Sequence, residues 1–374
     1  MTGTLTFAAI GDVATGLEPP EAIFDNVRTV LRSADLRFAQ CERLYSERGT
    51  FQQQGLAPHV RQHPSRASAF KSVPFDVVGT GGNHTGDWGP EAAEDTVETF
   101  RKLGIATIGS GRNIQEARKP AIFAKNDVRV AFLGYVSVML PQYWATETRA
   151  GSVPMRARTY YEAYEYQPGS PPRIVTVPYQ TDLEHMMEDI RKAKESADVV
   201  IASYHWGVHY ISRPVADYQT TVARAAIEAG ASMILGHHPH ILQPIAVYKG
   251  APILFSIGNF AMIRSGTSPN FCCPNGEYEF KDVYTKHVEP GHTFHYNRHK
   301  DEGRIFFFEL DKQGVRKLTV IPTVIGPEQK PEIVRSVDPR FEEYRRYMEW
   351  VSDETEGGIR SIAVENDRFL VYHR

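Results

Sequence analysis

The sequence predicts an α/β fold in which two sheets face each other with helices on the outside. In the first hundred residues, apolar strand-like runs alternate with segments of helical apolar spacing, which is typical of βαβ units and a mainly parallel sheet. A second βα series runs from residue 173 to residue 232, so the chain holds two βα-rich halves. At 374 residues and 41 % hydrophobic content, it can bury a large core.

Each element is predicted from its own pattern: short apolar runs bounded by turn residues for strands, and apolar residues every three or four positions for helices. The first half has strands at residues 4–11, 35–40, 75–80 and 105–109 and helices at residues 20–33, 63–72 and 89–103. Strands at residues 121–124 and 128–137 follow, then helices at residues 180–197 and 215–229. Extended segments at residues 241–248, 253–257, 304–310 and 317–323 are predicted to be antiparallel, whereas residues 140–172 and 264–302 are predicted to be irregular.

The domain organisation is expected to be simple. We predict one domain over residues 1–325 and a C-terminal extension over residues 326–374, with a helix and a strand packed on that domain. The three cysteines, an odd number that includes an adjacent pair, argue against a disulfide scaffold.

Charge and hydropathy exclude several classes of partner. A net charge of -3 gives no basic surface for nucleic acid. No apolar run approaches the roughly 18 residues of a membrane helix, and the N-terminus enters a strand without a charged leader. We therefore expect a cytoplasmic protein that binds neither nucleic acid nor membrane.

Metal-binding residue types recur where predicted strands end. Because the carboxyl ends of parallel strands meet at one edge of a sheet, we expect these side chains to share a crevice. Taken singly, each has a simpler role as a helix cap or a core histidine. Together they offer oxygen and nitrogen donors suited to Mn, Fe or Zn, or to Ca with added carbonyls. The predicted ligands of this divalent cation are Asp12, Glu42, Asn83, His205, His238 and His240.

Two details refine the predicted site. Pro239 is expected to hold the backbone between His238 and His240 extended, and side chains two positions apart on an extended segment point the same way. His84, next to the predicted ligands, is the natural general acid or base. Asp87 is predicted either to orient that imidazole or to cap the following helix.

The motifs resemble those of the CapA group, the poly-γ-glutamate capsule protein family within the calcineurin-like metallophosphoesterase superfamily. The resemblance extends over residues 5–325 and rests on Gly11-Asp12, Glu42, Gly82-Asn83-His84, His205-Trp206-Gly207, Gly236 to His240 and Ser256 to Phe260. It implies a four-layer αββα sandwich with two facing mixed sheets and a metal site at the sheet edges.

Two departures separate the chain from the superfamily's phosphatases. Ala14 stands where those enzymes have a histidine two residues after the first aspartate, so one metal subsite lacks a ligand. Glu42 stands where their bridging carboxylate is an aspartate. A complete two-metal clamp for phosphoryl transfer is therefore not implied.

Within the CapA group, the chain is similar to enzymes that invert the C-terminal tryptophan of ribosomal lasso-peptide precursors. This similarity implies a metal-dependent peptide epimerase whose substrate is a precursor peptide. Inversion at Cα needs an acid–base group on each face of the carbon and stabilisation of the enolate. Asp12 or His84 is the candidate on the strand-end side and His295 on the opposite side, with His292 and His299 as rivals to His295.

Three residues are candidates for substrate contact. Trp88 and Trp206 adjoin the metal motifs and could line an indole pocket, with core packing as the alternative. Arg43 could bind a peptide carboxylate, with surface solvation as the alternative.

Two other functions stay open. A metallophosphoesterase or related hydrolase would use a metal-bound water, although Ala14 argues against an ordinary phosphatase. A non-catalytic protein of polymer export or assembly would turn over no substrate, although the lack of an apolar anchor argues against export.

Overall fold

The computed structural model describes residues 3–52, 61–262, 288–291 and 299–374. In these ranges two mixed β-sheets pack face to face, and helices cover their outer faces. The predicted four-layer αββα sandwich is therefore confirmed.

The secondary structure follows the predicted alternation. The strands are β1 (Leu5–Ala14), β2 (Leu36–Cys41), β3 (Val77–Gly79), β4 (Ala106–Ile108), β5 (Ser110–Gly111), β6 (Ala121–Lys125), β7 (Val128–Val136), β8 (Gly151–Ser152), β9 (Ala157–Ala163), β10 (Pro172–Pro178), β11 (Val199–His205), β12 (Met233–His237), β13 (Ile245–Tyr248), β14 (Ala251–Leu254), β15 (Asn259–Met262), β16 (Glu302–Asp311), β17 (Gly314–Ile325), β18 (Pro331–Ile333), β19 (Ala363–Glu365) and β20 (Arg368–His373). The α-helices are α1 (Arg28–Arg32), α2 (Ser68–Ser72), α3 (Pro90–Lys102), α4 (Ile114–Ala117), α5 (Gln180–Ser196), α6 (Asp217–Ala229) and α7 (Pro339–Ser352), and short 3-10 helices cover Pro20–Phe24, Pro64–Ala67 and Pro141–Tyr143.

The first sheet has the order β19-β20-β17-β16-β1-β2-β3-β4, with β15 beside β1 and β18 beside β17. Strands β1 to β4 run parallel, whereas β16 and β17 run antiparallel. The second sheet has the order β13-β14-β12-β11-β7-β6, and its central strands β7, β11, β12 and β14 are parallel. Each sheet thus contains a block of four parallel strands, at one side of the first sheet and in the centre of the second.

Aromatic side chains fill the space between the two sheets. Phe38 of the first sheet stacks on Phe132 of the second with ring centroids 6.4 Å apart, and Phe7 packs edge-on against Phe132 at 5.4 Å. All three rings are fully buried. Burial of one such ring stabilises the fold by roughly 1.5–3 kcal/mol, so this column fixes how the two sheets align.

Three predictions about elements need correction. The predicted helix over residues 20–33 is a 3-10 helix followed by α1, although the spacing of Ile23, Val27 and Leu31 that predicted it is preserved, and all three are buried. The region 140–172 is not wholly irregular, because β9 pairs with β10 in a ribbon whose tyrosines are exposed on both faces and show no alternation. The late segments are not all antiparallel, since β14, which overlaps the predicted segment 253–257, is parallel to β12.

The C-terminal residues join the first sheet. Strands β18 and β20 pair with β17, and Phe341 and Tyr347 of α7 contribute to the core between the sheets. The predicted boundary at residue 325 therefore falls inside a continuous sheet, and the division into domain and extension stays a prediction. In the part of the chain that the structure describes, every helix is too short or too polar to cross a membrane. The cytoplasmic location also stays a prediction.

Candidate metal centre

Two carboxylates and a histidine meet where strands of both sheets end. Asp12 lies near the end of β1, Glu42 directly follows β2, and His205 is the last residue of β11. One ligand atom from each lies within 4.8 Å of the others. All three side chains are buried. Two carboxylates buried together are unfavourable without a compensating positive charge, so the arrangement calls for a cation.

A bulge in β1 directs Asp12 into this cluster. The pairing of β1 with β2 shifts register between Ile10 and Asp12, and the Asp12 amide donates a hydrogen bond to the Gly258 carbonyl at 3.0 Å. A Cβ atom on Gly11 would lie 1.8 Å from that same carbonyl oxygen. Gly11 is thus required for the close approach of the two strands, and the bulge re-aims the next side chain.

The histidine turn after β12 does not have the predicted extended backbone. His238 and His240 have φ angles of 97° and 61°, in the left-handed region, so their side chains diverge and their ring centroids lie 6.3 Å apart. His240 reaches between the carboxylates, with Nδ1 3.3 Å from Asp12 Oδ2 and Nε2 3.6 Å from Glu42 Oε1. Such backbone conformations cost about 1–3 kcal/mol each and are concentrated at functional sites.

His238 lies on the other side of the cluster. Its ring centroid is 5.0 Å from that of His205 and 3.9 Å from that of His209. Asn83 lies on the same side, with Oδ1 2.8 Å from His205 Nε2. The structure thus brings all six predicted ligands together, with His240 beside Asp12 and Glu42, and with Asn83 and His238 beside His205.

His84 stands next to the ligands in an acid–base pair. Its Nδ1 lies 2.6 Å from Asp87 Oδ2, and its Nε2 lies 3.7 Å from Glu42 Oε1. Two roles were left open for Asp87; the N-cap of α3 is Gly89, so Asp87 contacts the imidazole and does not cap the helix. Burial and the nearby positive charge of Arg43 lower the pKa of His84, whereas the charge of Asp12 acts in the opposite direction. The contact with the Asp87 carboxylate places the ring proton on Nδ1.

The pKa values of Asp12, Glu42 and His240 depend on one another in the metal-free protein. Burial, and then the charge of Asp12, raise the pKa of Glu42 to about 8. Burial opposes protonation of His240, but contact with Asp12 and the charge of Glu42 outweigh it and raise its pKa to about 9. Burial would likewise raise the pKa of Asp12, but its nearness to His240 lowers it. A proton on His240 thus partly neutralises the carboxylates until a cation replaces it.

The donor atoms themselves test whether a metal fits. Buried polar atoms are almost always hydrogen-bonded, so a group of unsatisfied lone pairs at one place indicates a ligand. Both carboxylate oxygens of Asp12, Oε1 of Glu42, and Nδ1 of His238 are buried and make no hydrogen bond to any described residue. A mixed oxygen and nitrogen set of this kind fits a divalent cation such as Mn or Zn, and Ca if further oxygens join.

His237 was missed in the sequence and belongs to the same cluster. It has no exposed surface, its Nδ1 lies 3.8 Å from Asp12 Oδ1, and neither ring nitrogen is hydrogen-bonded to a described residue. The alternation of Met233, Leu235 and His237 along β12 was the available signal, because these residues share the inward face. Gln40 was missed as well: its Nε2 donates to the Gly81 carbonyl at 2.9 Å and lies 3.5 Å from His205 Nδ1.

The predicted substrate residues separate into two groups. Trp206 is fully buried, stacks on Tyr204 at 4.5 Å and donates to the Phe255 carbonyl at 2.8 Å, so the indole-pocket prediction is wrong for this residue and core packing holds it. Trp88 is half-buried and lines a small cleft together with Arg43 and His84.

The predicted second base falls largely outside the structure. His295 and His292 lie outside the described residues, so their predicted roles stay predictions. His299 is buried, stacks on Tyr347 at 3.9 Å and contacts Glu302 through Nδ1 at 2.8 Å. These contacts give His299 a structural role.

Comparison with known proteins identifies a matching family and several relatives. The family model described as bacterial capsule synthesis protein PGA_cap matches residues 6–263. The chain is 28 % identical over 272 residues to the PGA biosynthesis protein CapA of Bacillus subtilis, covering 70 % of this chain and 64 % of that protein. It is 27 % identical over 277 residues to the capsule biosynthesis protein CapA of Bacillus anthracis, covering 70 % and 61 %. The chain thus spans under two thirds of the length of these relatives.

Superposition on solved structures gives low scores. A protein described as a 5′-nucleotidase from Staphylococcus aureus superposes with a TM-score of 0.44 at 12 % identity, covering 92 % of this chain and 58 % of that one.

Proposed function

The chain belongs to the family of bacterial capsule synthesis proteins called PGA_cap, and from that premise we propose that it is a metal-dependent peptide epimerase. Its substrate would be a ribosomal lasso-peptide precursor whose C-terminal tryptophan is inverted at Cα. The observation that carries the proposal is the His84–Asp87 pair at 2.6 Å beside a buried cluster of metal donors. That arrangement joins an acid–base group to a cation site, which is what proton abstraction next to a carbonyl requires.

The residues have separate tasks in this reaction. A bound divalent cation would polarise the substrate carbonyl and so make the Cα proton more acidic. Asp12, Glu42 and His205, whose ligand atoms lie within 4.8 Å of one another, would hold it together with His240. His84, with Asp87 fixing its Nδ1 proton, would present Nε2 as the proton acceptor on the strand-end side, with Asp12 as the alternative acceptor. The group on the opposite face would be His295.

The open side of the site suits an anionic peptide end. Arg43 lines the cleft next to His84, and the guanidinium of Arg61 lies 4.1 Å from the centroid of the Trp88 ring in the same cleft. Two guanidinium groups near the acid–base pair favour a substrate that carries a carboxylate, because arginine pairs with carboxylates in a two-pronged geometry. Trp88 would contribute its ring surface to that substrate.

The names of the relatives support a second function more directly than the first. The matched region contains all six predicted ligands, and relatives over that region are named for capsule and PGA biosynthesis. A Mycobacterium tuberculosis relative is named a probable polyglutamine synthesis accessory protein, at 27 % identity over 53 % of this chain and 48 % of that protein. A CapA-type role in polymer synthesis, hydrolytic or non-catalytic, is therefore the second candidate.

One experiment separates the candidates. Purified protein is incubated in D2O with Mn, Zn or Ca and a synthetic precursor peptide ending in tryptophan, and the peptide is examined by mass spectrometry and chiral amino-acid analysis. An epimerase adds one deuterium and produces D-tryptophan, a hydrolase shortens the peptide or releases phosphate from p-nitrophenyl phosphate, and a non-catalytic protein does neither. Absence of exchange with every metal rejects the epimerase.

Variants locate the chemistry. His84→Ala and Asp12→Asn should each lower exchange by at least about 100-fold, the usual contribution of a general acid or base. The matched control is His63→Ala, since His63 is an exposed histidine that contacts Glu47. Equal losses in H63A and H84A would contradict the assignment of His84.

A further inference from the structure

Asn259, at the start of β15, connects the metal centre to a separate part of the chain. Its Oδ1 lies 2.8 Å from His240 Nδ1, and its Nδ2 donates to the Lys300 carbonyl at 2.8 Å. The side chain is 5 % exposed, so water does not substitute for either partner. In the pairing of β15 with β1, Asn259 is the register partner of Asp12.

The Lys300 carbonyl determines which way the amide points. A carbonyl oxygen only accepts hydrogen bonds, so it selects Nδ2 of Asn259, and Oδ1 must then face His240. An amide oxygen also only accepts, so His240 must carry a proton on Nδ1. Asp12 Oδ2 lies 3.3 Å from the same nitrogen, and its negative charge favours a proton there.

This chain of contacts leaves Nε2 as the basic atom of His240. That atom lies 3.6 Å from Glu42 Oε1, inside the cluster of carboxylates. The left-handed backbone at His240 belongs to no helix or strand, so regular structure does not fix the ring. The ring therefore depends on a side-chain contact for its orientation.

We infer that Asn259 is a positioning residue that locks His240 in the tautomer whose Nε2 faces the cation, using the Lys300 carbonyl as its fixed point. The inference rests on the metal centre of the proposed function. A hydrogen-bond acceptor behind a metal-binding histidine fixes both its tautomer and its ring orientation, and its loss typically weakens metal affinity about 10- to 100-fold.

The test compares Asn259→Leu with Asn259→Asp. N259L fills the same volume and removes the acceptor, so Zn affinity measured by competition with a chromogenic chelator should fall about 10- to 100-fold. N259D keeps an acceptor oxygen for His240 but loses the donor to the Lys300 carbonyl, so its Zn affinity should stay above that of N259L. In the Zn-loaded wild type, nitrogen-15 NMR should show a protonated Nδ1 for His240, and this signal should be lost or shifted in N259L. If N259L does not fold, Asn259→Ser takes its place, because its short side chain cannot reach both partners.

The control is Gln219→Leu, which removes another fully buried amide, one whose Oε1 accepts from the Ala216 amide at 2.9 Å. Q219L should lower thermal stability without changing Zn affinity. If folded N259L has wild-type Zn affinity and an unchanged His240 signal, the inference about Asn259 is overturned, while the proposed metal centre stands. If the wild-type protein binds no metal, the proposed metal centre and this inference both fail.

Discussion

At the scale of single residues, the site places two buried carboxylates next to a histidine that can carry a positive charge. Asp12 and Glu42 are buried next to each other, and the pKa of His240 beside them is raised. Burial is the main cause that lowers the pKa of His205, His237 and His238. These histidines are therefore neutral near pH 7 and can bind a metal without releasing a proton.

This balance predicts how stability depends on pH in the metal-free protein. Glu42 and His240 have folded-state pKa values of about 8 and about 9, above their unfolded values, so the folded state binds more protons. Their contribution to stability is complete below the unfolded pKa values and is lost as the pH rises from there through the folded ones. Chemical unfolding of chelator-treated protein should therefore show this contribution falling from about pH 5 to about pH 9.

Two measurements check the cause. Glu42→Gln should flatten the slope, because glutamine does not ionise, and saturating metal should reverse it, because the cation replaces the proton. The exposed Glu228→Gln serves as the control, since Glu228 makes only surface contacts with Tyr248 and Lys249. If the free energy of unfolding falls with pH equally steeply in E42Q and E228Q, Glu42 is not the cause of the pH dependence.

At the scale of elements, strand ends and strand faces explain what the sequence could predict. Asp12, Glu42 and His205 were predictable because each lies at or just past the end of an apolar run. The divergence of His238 and His240 was not, because two left-handed residues around Pro239 follow from contacts with strands far away in sequence. His237 was predictable from the alternation along β12, because it shares a strand face with the buried Met233 and Leu235.

The two tryptophans next to the metal motifs should respond differently to mutation. Trp206→Phe removes the hydrogen bond to Phe255 and leaves a cavity in a tightly packed stack, so we expect a loss of about 2–3 kcal/mol in the free energy of unfolding. Trp88→Phe, at a half-buried position, should cost less than about 1 kcal/mol. Urea unfolding measures both, and a W88F variant as unstable as W206F would show that Trp88 too is a core residue.

At the scale of the whole molecule, the C-terminal residues complete the sandwich. Leu318 and Val320 of β17 are fully buried, and they share one hydrophobic core with Phe341 and Phe369. The four-layer architecture was predictable from the βα alternation of both halves. The place of the last fifty residues was not, because pairing between strands distant in sequence leaves no local pattern.

The predicted boundary at residue 325 gives a direct test of this integration. A chain ending at Ile325 loses the strands and helix that cover β17, so it should be insoluble or should lack a cooperative thermal transition. Phe341→Ala in the full chain, a milder change, should cost about 3–5 kcal/mol. Circular dichroism of both proteins is the measurement, and a shortened chain that unfolds cooperatively near the wild-type temperature would show that residues 326–374 are a separate attachment.

The column of Phe7, Phe38 and Phe132 between the sheets has a mechanical consequence. Phe38 lies 5.6 Å from the His237 ring, so the column reaches the donor cluster. Asp12 and Glu42 follow strands of one sheet and the histidines follow strands of the other, so a bound ion would connect the two sheets. The aromatic column sets the distance between those sheets. A substitution that changes the size of a ring in the column would therefore change the metal affinity without altering any residue that binds the ion.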